Sequence, residues 1–281
     1  MSQPPFPVPS SSSSLSDDSS SSSTQSEPTM TTTPSEHQHS QPNHHVVRYF
    51  FFDLDDCLYP KSSGVNIHVR NRIAQYLSEQ LGIENAMEKS VNLYLQHGTT
   101  LRGLIAEGYN VDPITFYHYV HSGFDLDGVQ QHDEELHSMI AKLKQNVDKV
   151  VLFTNSDKRH AKRLLNHLGI LELFDQIVCY EDLELSVKPH PHAYELAAEI
   201  SGLPSGSLEN HTPSWKDMIV NSQLEIYFAD DNLKNVMAAF DMGWNACWVC
   251  EQEGVQPPPN EGIPFVQDVK QLPKVWPHLF Q

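Results

Sequence analysis

Three carboxylates follow directly on an aromatic run in Tyr49-Phe50-Phe51-Phe52-Asp53-Leu54-Asp55-Asp56. Ionised acids side by side at the end of a buried segment repel one another and lose solvation unless positive charge sits among them. A divalent cation supplies that charge, and hard oxygen ligands suit Mg²⁺. Asp53 and Asp55 are two apart, so a strand continuing through them would project both from one face into one site. Two more polar groups end apolar runs: Thr154-Asn155-Ser156 after Lys149–Phe153, and Asp230-Asp231 after Leu224–Ala229. A lone lysine, Lys188, precedes Pro189 about 34 residues after Thr154.

Each group also has a plainer reading. Aspartates favour caps and turns, and Thr154-Asn155-Ser156 taken alone reads first as the N-cap of the next helix, a place that also binds phosphate. Taken alone, Lys188 reads as a surface lysine. What favours chemistry is convergence, because apolar strands alternating with helices argue a parallel sheet covered on both faces. Ligands bind at the carboxyl ends of strands in such sheets.

The pattern predicts strands at Val46–Leu54, Lys149–Phe153, Gln176–Cys179, Leu224–Ala229 and Asn245–Val249. Helices are expected at Asn66–Leu81, Glu84–His97, Thr99–Glu107, Pro113–His121, Asp133–Gln145, Asp157–Leu168, Pro189–Ile200 and Leu233–Asp241. Ser201–Gln223 reads as a long loop, and Asp268–Phe280 as a short terminal helix. Thus a block of helices without strands separates the first strand from the second.

Residues 1–46 lack an apolar pattern, and Ser10–Ser23 is nearly pure serine, so this tail is expected to be disordered. It contains no Lys or Arg, unlike a secretory signal or a mitochondrial presequence. His37, His39, His44 and His45 read as an incidental polar stretch. No apolar run of about 18 residues occurs, so nothing is expected to span a membrane. The net charge is −18, with −4 in the tail, which argues against binding a nucleic-acid polymer. An anionic substrate then needs local positive charge, from Lys188 and a bound metal. The cysteines Cys57, Cys179, Cys247 and Cys250 form no dense framework, which suits a reducing, cytoplasmic compartment and leaves the nucleus open. Cys247 and Cys250 stand three apart in a strand-like segment, a poor redox or chelating pair.

Asp53-x-Asp55, Thr154, Lys188 and Asp230-Asp231, in this order, make roughly Val46–Gln281 resemble the haloacid dehalogenase-like hydrolases. Phe51–Pro60, Gly98-Thr-Thr-Leu-Arg-Gly-Leu104 and Phe228-Ala-Asp-Asp-Asn-Leu-Lys-Asn235 resemble the fungal pyrimidine 5′-nucleotidase branch. The resemblance implies an α/β fold: a Rossmann-like core (47–61 and 129–281) with a helical cap inserted at 62–128. It implies that Asp53 attacks phosphorus to form an aspartyl-phosphate, and that Asp55 protonates the leaving oxygen and then activates water. Mg²⁺ would be held by Asp53, the Asp55 carbonyl and Asp230, supported by Asp231. Thr154 and Asn155 would hold phosphoryl oxygens, and Lys188 would neutralise charge.

An acid two residues after the nucleophile separates the family's phosphatases from its dehalogenases. UMP and CMP are the substrates implied. Lysophosphatidate or a sugar phosphate remain open, as does a regulatory protein without turnover. Thr99, Thr100 and Arg102 are candidate contacts to base or sugar, though Thr99 also reads as a cap and Arg102 as a solvated charge. Phe116, Tyr117 and Tyr119 are candidate stacking faces. Cys57 stands where many relatives carry threonine, and a solvent-exposed thiol there would be open to oxidation. His190 and His192 stand where many carry an acid, and read as surface residues. Like-charge repulsion from Asp53 is expected to keep Asp55 protonated. Oligomeric state is not readable.

Overall fold

The computed structural model describes residues 45–205, 213–252, 254, 256, 258, 260 and 262–281. The serine-rich tail up to residue 44, with His37, His39 and His44, and part of the 201–223 segment lie outside the described residues.

Strand β1 (Val47–Phe52) is apolar on both faces. Phe50 and Phe52 enter one apolar cluster and Tyr49 and Phe51 another. This is what alternation demands of a strand covered on both sides. Each fully buried phenylalanine contributes about 1.5–3 kcal/mol over an exposed one. Four helices follow with no strand between them: α1 (Val65–Leu81), α2 (Ala86–His97), α3 (Thr100–Ala106) and α4 (Pro113–Val120). They share their own apolar cluster, which includes Leu77, Leu93, Leu104 and Phe116.

The chain then runs through α5 (Glu134–Leu143), β2 (Lys149–Phe153), α6 (Lys158–Leu168), β3 (Gln176–Val178), α7 (Pro191–Ile200), α8 (Trp215–Val220), β4 (Leu224–Asp230), α9 (Leu233–Asp241), β5 (Asn245–Val249), β6 (Phe265–Val266) and α10 (Leu272–Val275). The six strands form one sheet in the order β3-β2-β1-β4-β5-β6, and every pairing is parallel. Leu136 and Ile140 of α5 and Leu164 and Leu165 of α6 cover one face. Tyr194 of α7, Trp215 of α8 and Val236 of α9 cover the other.

Several elements depart from expectation. The 201–223 loop contains α8, whose N-cap Ser214 forms a capping box with Asp217. β6 is a two-residue strand at the sheet edge, too short to show alternation. The terminal helix is broken into α10 and two single 3₁₀ turns, because Pro273 and Pro277 cannot continue the backbone ladder. Helix α7 begins at Pro191 rather than Pro189, with the His190 side chain accepting from the His192 amide as its N-cap.

Gly128 sits where the chain leaves the helical block. A Cβ there would lie 2.1 Å from the Ser63 carbonyl oxygen. Gly128→Ala is therefore expected to destabilise the protein by about 1–3 kcal/mol, the usual cost of forcing atoms into a filled site. An unchanged melting temperature would contradict this.

Candidate active site

Strand β1 lies between β2 and β4, and its register places Phe52 opposite Leu152 and Ala229. Asp53, Thr154 and Asp230 therefore leave the sheet at its carboxyl edge from three adjacent strands. The order in which successive strands are added reverses about β1, from β1-β2-β3 on one side to β4-β5-β6 on the other, and the crevice at such a switch point is the binding place of open α/β sheets.

Lys188 reaches this edge from the segment after β3. Its Nζ donates to Asp53 Oδ1, Asp230 Oδ2 and the Phe153 carbonyl, each at 2.7 Å. Only 1% of Lys188 is exposed, so it is no surface lysine. Asn155 fixes the Lys188 backbone from both sides: Asn155 Oδ1 accepts from its amide at 2.9 Å, and Nδ2 donates to its carbonyl at 3.0 Å. Asp230, fully buried, also accepts from the Asn232 amide and from Asn235 Nδ2.

Asp53, Asp230 and Asp231 present oxygens all within 4.8 Å of one another. One ammonium against three carboxylates leaves two negative charges in excess. Burial, together with Asp230, pushes the Asp53 carboxyl up to about 8 against the pull of Lys188. Burial, then Asp230 and Asp53, pushes Asp231 up to about 9. Burial works against the charge on Lys188, but Asp230 and Asp53 prevail and hold its ammonium above the usual range. An all-oxygen cluster short of two positive charges fits a hard divalent cation.

The side chain of Asp55 does not join this cluster, which corrects the expectation of one shared face. β1 ends at Phe52, and Asp55 and Asp56 lie in a turn with Asp56 at φ 58°. Asp55 Oδ1 accepts from Tyr59 OH at 2.5 Å and His160 Nε2 at 2.8 Å, and Oδ2 from Ser156 Oγ at 2.6 Å. Burial works to raise this carboxyl, but His160 and the three hydrogen bonds hold it well below the usual carboxylate range. The substrate-free acid is thus ionised, not kept protonated by Asp53 as expected. The donors on Asp55 outweigh like-charge repulsion.

Thr154 is 1% exposed, and its Oγ1 accepts from the Ser156 amide at 3.1 Å. The N-cap of α6 is Asp157, which accepts from the Arg159 and His160 amides, so Thr154-Asn155-Ser156 is not the cap. Cys57 is 3% exposed with its Sγ toward the Ala229 carbonyl, and burial pushes its thiol well up. It is not the exposed, oxidisable thiol considered from sequence. All four cysteines are free thiols.

A cleft of about 460 Å³ runs from Asp55, Asp56, Asp231 and Ser156 to Val65, Val69, Arg70 and Ile73 of α1 and Val91, Tyr94 and Leu95 of α2. Thr100 borders it, but its hydroxyl donates to the Ser90 carbonyl. Thr99 caps α3 and lines a neighbouring cavity of about 200 Å³ with Phe116, Tyr117 and Asn155. Arg102 faces a separate cleft of about 500 Å³ with Lys188, Asn232 and Lys234. Tyr119 is held outside these clefts by Glu79 and Arg72. The aromatic ring common to all three is Tyr94, whose hydroxyl accepts from Asn232 Nδ2 at 2.9 Å. Sequence reasoning missed Tyr94 and His160, because nothing in their spacing marks them, and it named Ser156 and Tyr59 only within longer motifs, without their contacts to Asp55.

A sequence model of haloacid dehalogenase-like hydrolases matches residues 47–243. The chain belongs to this hydrolase family. It is 31% identical over 207 residues to Phosphate metabolism protein 8 of Saccharomyces cerevisiae, covering 70% of this chain and 59% of that protein. The chain therefore spans less than two thirds of that relative's length. Among solved structures, a HAD phosphatase of Thermococcus onnurineus superposes with a TM-score of 0.52 at 17% identity, over 82% of this chain and 97% of its own. YfnB of Bacillus subtilis, described as a HAD-hydrolase and crystallised with magnesium, gives 0.50 at 17% identity over 82% and 99%. At such identities the two structures speak for the haloacid dehalogenase-like fold alone. Among the described residues no helix is long and apolar enough to cross a membrane.

Proposed function

We propose that the protein is a Mg²⁺-dependent phosphomonoesterase acting through an aspartyl-phosphate on Asp53, with pyrimidine nucleoside 5′-monophosphates as its substrates. The observation that carries this reading is the division of the carboxylates. Asp53, Asp230 and Asp231 cluster together, the first two paired with the Lys188 ammonium, while Asp55 is held apart on the cleft. One acid is thereby placed to attack and another to manage protons.

A carboxylate and a phosphate repel, so attack needs positive charge between them. Asp53, Asp230, the Asp55 carbonyl and Asp231 would hold Mg²⁺, which would supply part of that charge when bound. Lys188 Nζ aligns the Asp53 carboxylate and offsets charge on the transferring group. Thr154 and the Asn155 backbone hold phosphoryl oxygens. The field of a phosphate dianion opposes ionisation of Asp55, which takes up a proton and delivers it to the leaving oxygen. Helices α1–α4 act as the cap, Tyr94 offers a ring against a base, and Asn66 and Arg70 offer polar contacts.

The aliphatic wall of Val65, Val69, Ile73, Val91 and Leu95, the last 59% exposed, favours a second reading, an alkyl-chain ester such as lysophosphatidate. Phosphate release from UMP, CMP, AMP, GMP, a sugar phosphate and lysophosphatidate decides between them. Preference for UMP and CMP is expected. Turnover is expected to fall to background in EDTA and return with Mg²⁺. Turnover of lysophosphatidate with little nucleotide activity would discard the substrate and keep the mechanism. No release from any ester would discard both and favour a regulatory role.

A further inference from the structure

We infer that His160 is a positioning residue for Asp55, an inference that rests on the phosphatase reading above. The ring of His160 is wholly buried, and its Nε2 meets Asp55 Oδ1 at 2.8 Å. A carboxylate only accepts, so Nε2 carries the N–H. The other nitrogen, Nδ1, is buried with no partner among the described residues. A histidine serving only to fill space would not leave a polar atom stranded, which is costly in an apolar interior.

The ring is fixed at Nε2 and on one face. Its face stacks on His121, with centroids 4.0 Å apart and planes 17° off parallel. His121, the C-cap of α4, bonds through Nδ1 to Asp157, and Asp157 caps the helix that carries His160. The ring that orients Asp55 is thus clamped between the catalytic core and the last helix of the block above it.

A carboxylate has about four lone-pair sites. His160 and Tyr59 occupy both on Oδ1, and Ser156 occupies one on Oδ2. The remaining lone pair is on Oδ2, and it bears the transferred proton. In the first half-reaction the bond from Asp53 to phosphorus forms, the bond from phosphorus to the leaving oxygen breaks, and the Oδ2 proton goes to that oxygen. In the second, water bonds to phosphorus, the bond from phosphorus to the Asp53 oxygen breaks to release the carboxylate, and a water proton returns to Oδ2.

Leaving groups that need no protonation separate this role from a packing role. In single-turnover experiments with the full chain and Mg²⁺, His160→Leu is expected to slow alkyl ester cleavage, as in UMP, by about 10–100-fold, a part of what a general acid contributes. Cleavage of p-nitrophenyl phosphate should stay within about threefold of the unsubstituted protein, since its leaving group departs without a proton. Steady-state turnover should then show a burst of p-nitrophenolate, because water activation still depends on Asp55. His160→Gln places an amide N–H near the Nε2 position and is expected to recover part of the alkyl rate. Tyr59→Phe, which removes the other Oδ1 donor, is expected to shift selectivity the same way and serves if His160→Leu does not fold. Equal losses on both esters without a burst, or no loss on either, would overturn the role of His160 and leave the phosphatase reading standing. Failure of the unsubstituted protein to release phosphate from either ester would overturn both.

Discussion

Asp53→Asn is expected to reduce phosphate release below about one hundredth of the unsubstituted protein while leaving the fold intact. The amide has the shape of the carboxylate but cannot form the phosphoaspartate. Its oxygen can still accept from Lys188, whose second carboxylate, Asp230, is untouched. Without metal, burial and Asp230 already disfavour the ionised Asp53, and the amide avoids that cost, so the melting temperature without metal should be equal or higher. The substitution therefore separates chemistry from stability. Residual turnover above about one hundredth would remove Asp53 from the nucleophile's role.

Lys188→Met should do the opposite and damage both. Lys188 is the buried counter-charge of Asp53 and Asp230, 1% exposed and bonded to both at 2.7 Å. Removing one partner of a buried ionic group typically costs about 3–5 kcal/mol, because the remaining charges are left unpaired. For a chain of this size that corresponds to a fall of roughly 10 °C in melting temperature. Activity should drop by about 10²–10³-fold, the usual effect of losing one preorganised electrostatic contact. Mg²⁺ should stabilise the variant more than the unsubstituted protein, since it supplies charge that the missing ammonium no longer does. A melting temperature within a degree or two of the unsubstituted protein would refute the structural part, and intact turnover the catalytic part.

Lys149–Phe153, Leu233–Asp241 and Asn245–Val249 form the elements that their apolar pattern predicts. They are legible because a strand or helix must match its apolar period to the surface that covers it. Helix α8 and strand β6 were not legible, since six and two residues are too few to show a period. The terminal segment misled because its apolar residues suggested a helix that two prolines interrupt.

At the candidate site, sequence by itself determined the strand-end carboxylates, the lone lysine and their order, and hence the hydrolase family. Those features are local: an apolar strand followed by charge is visible in a window of ten residues. Only the tertiary structure decided that Asp55 turns away from the cluster of Asp53, Asp230 and Asp231. It also decided that Asn155 clasps Lys188 and that Tyr94, not Tyr119, faces the cleft. Those outcomes depend on groups more than thirty residues apart meeting across packed elements. His160 and Asp55 are 105 positions apart and 2.8 Å from each other. No periodicity along the chain encodes such a meeting, because it is set by how α6 packs against the end of β1.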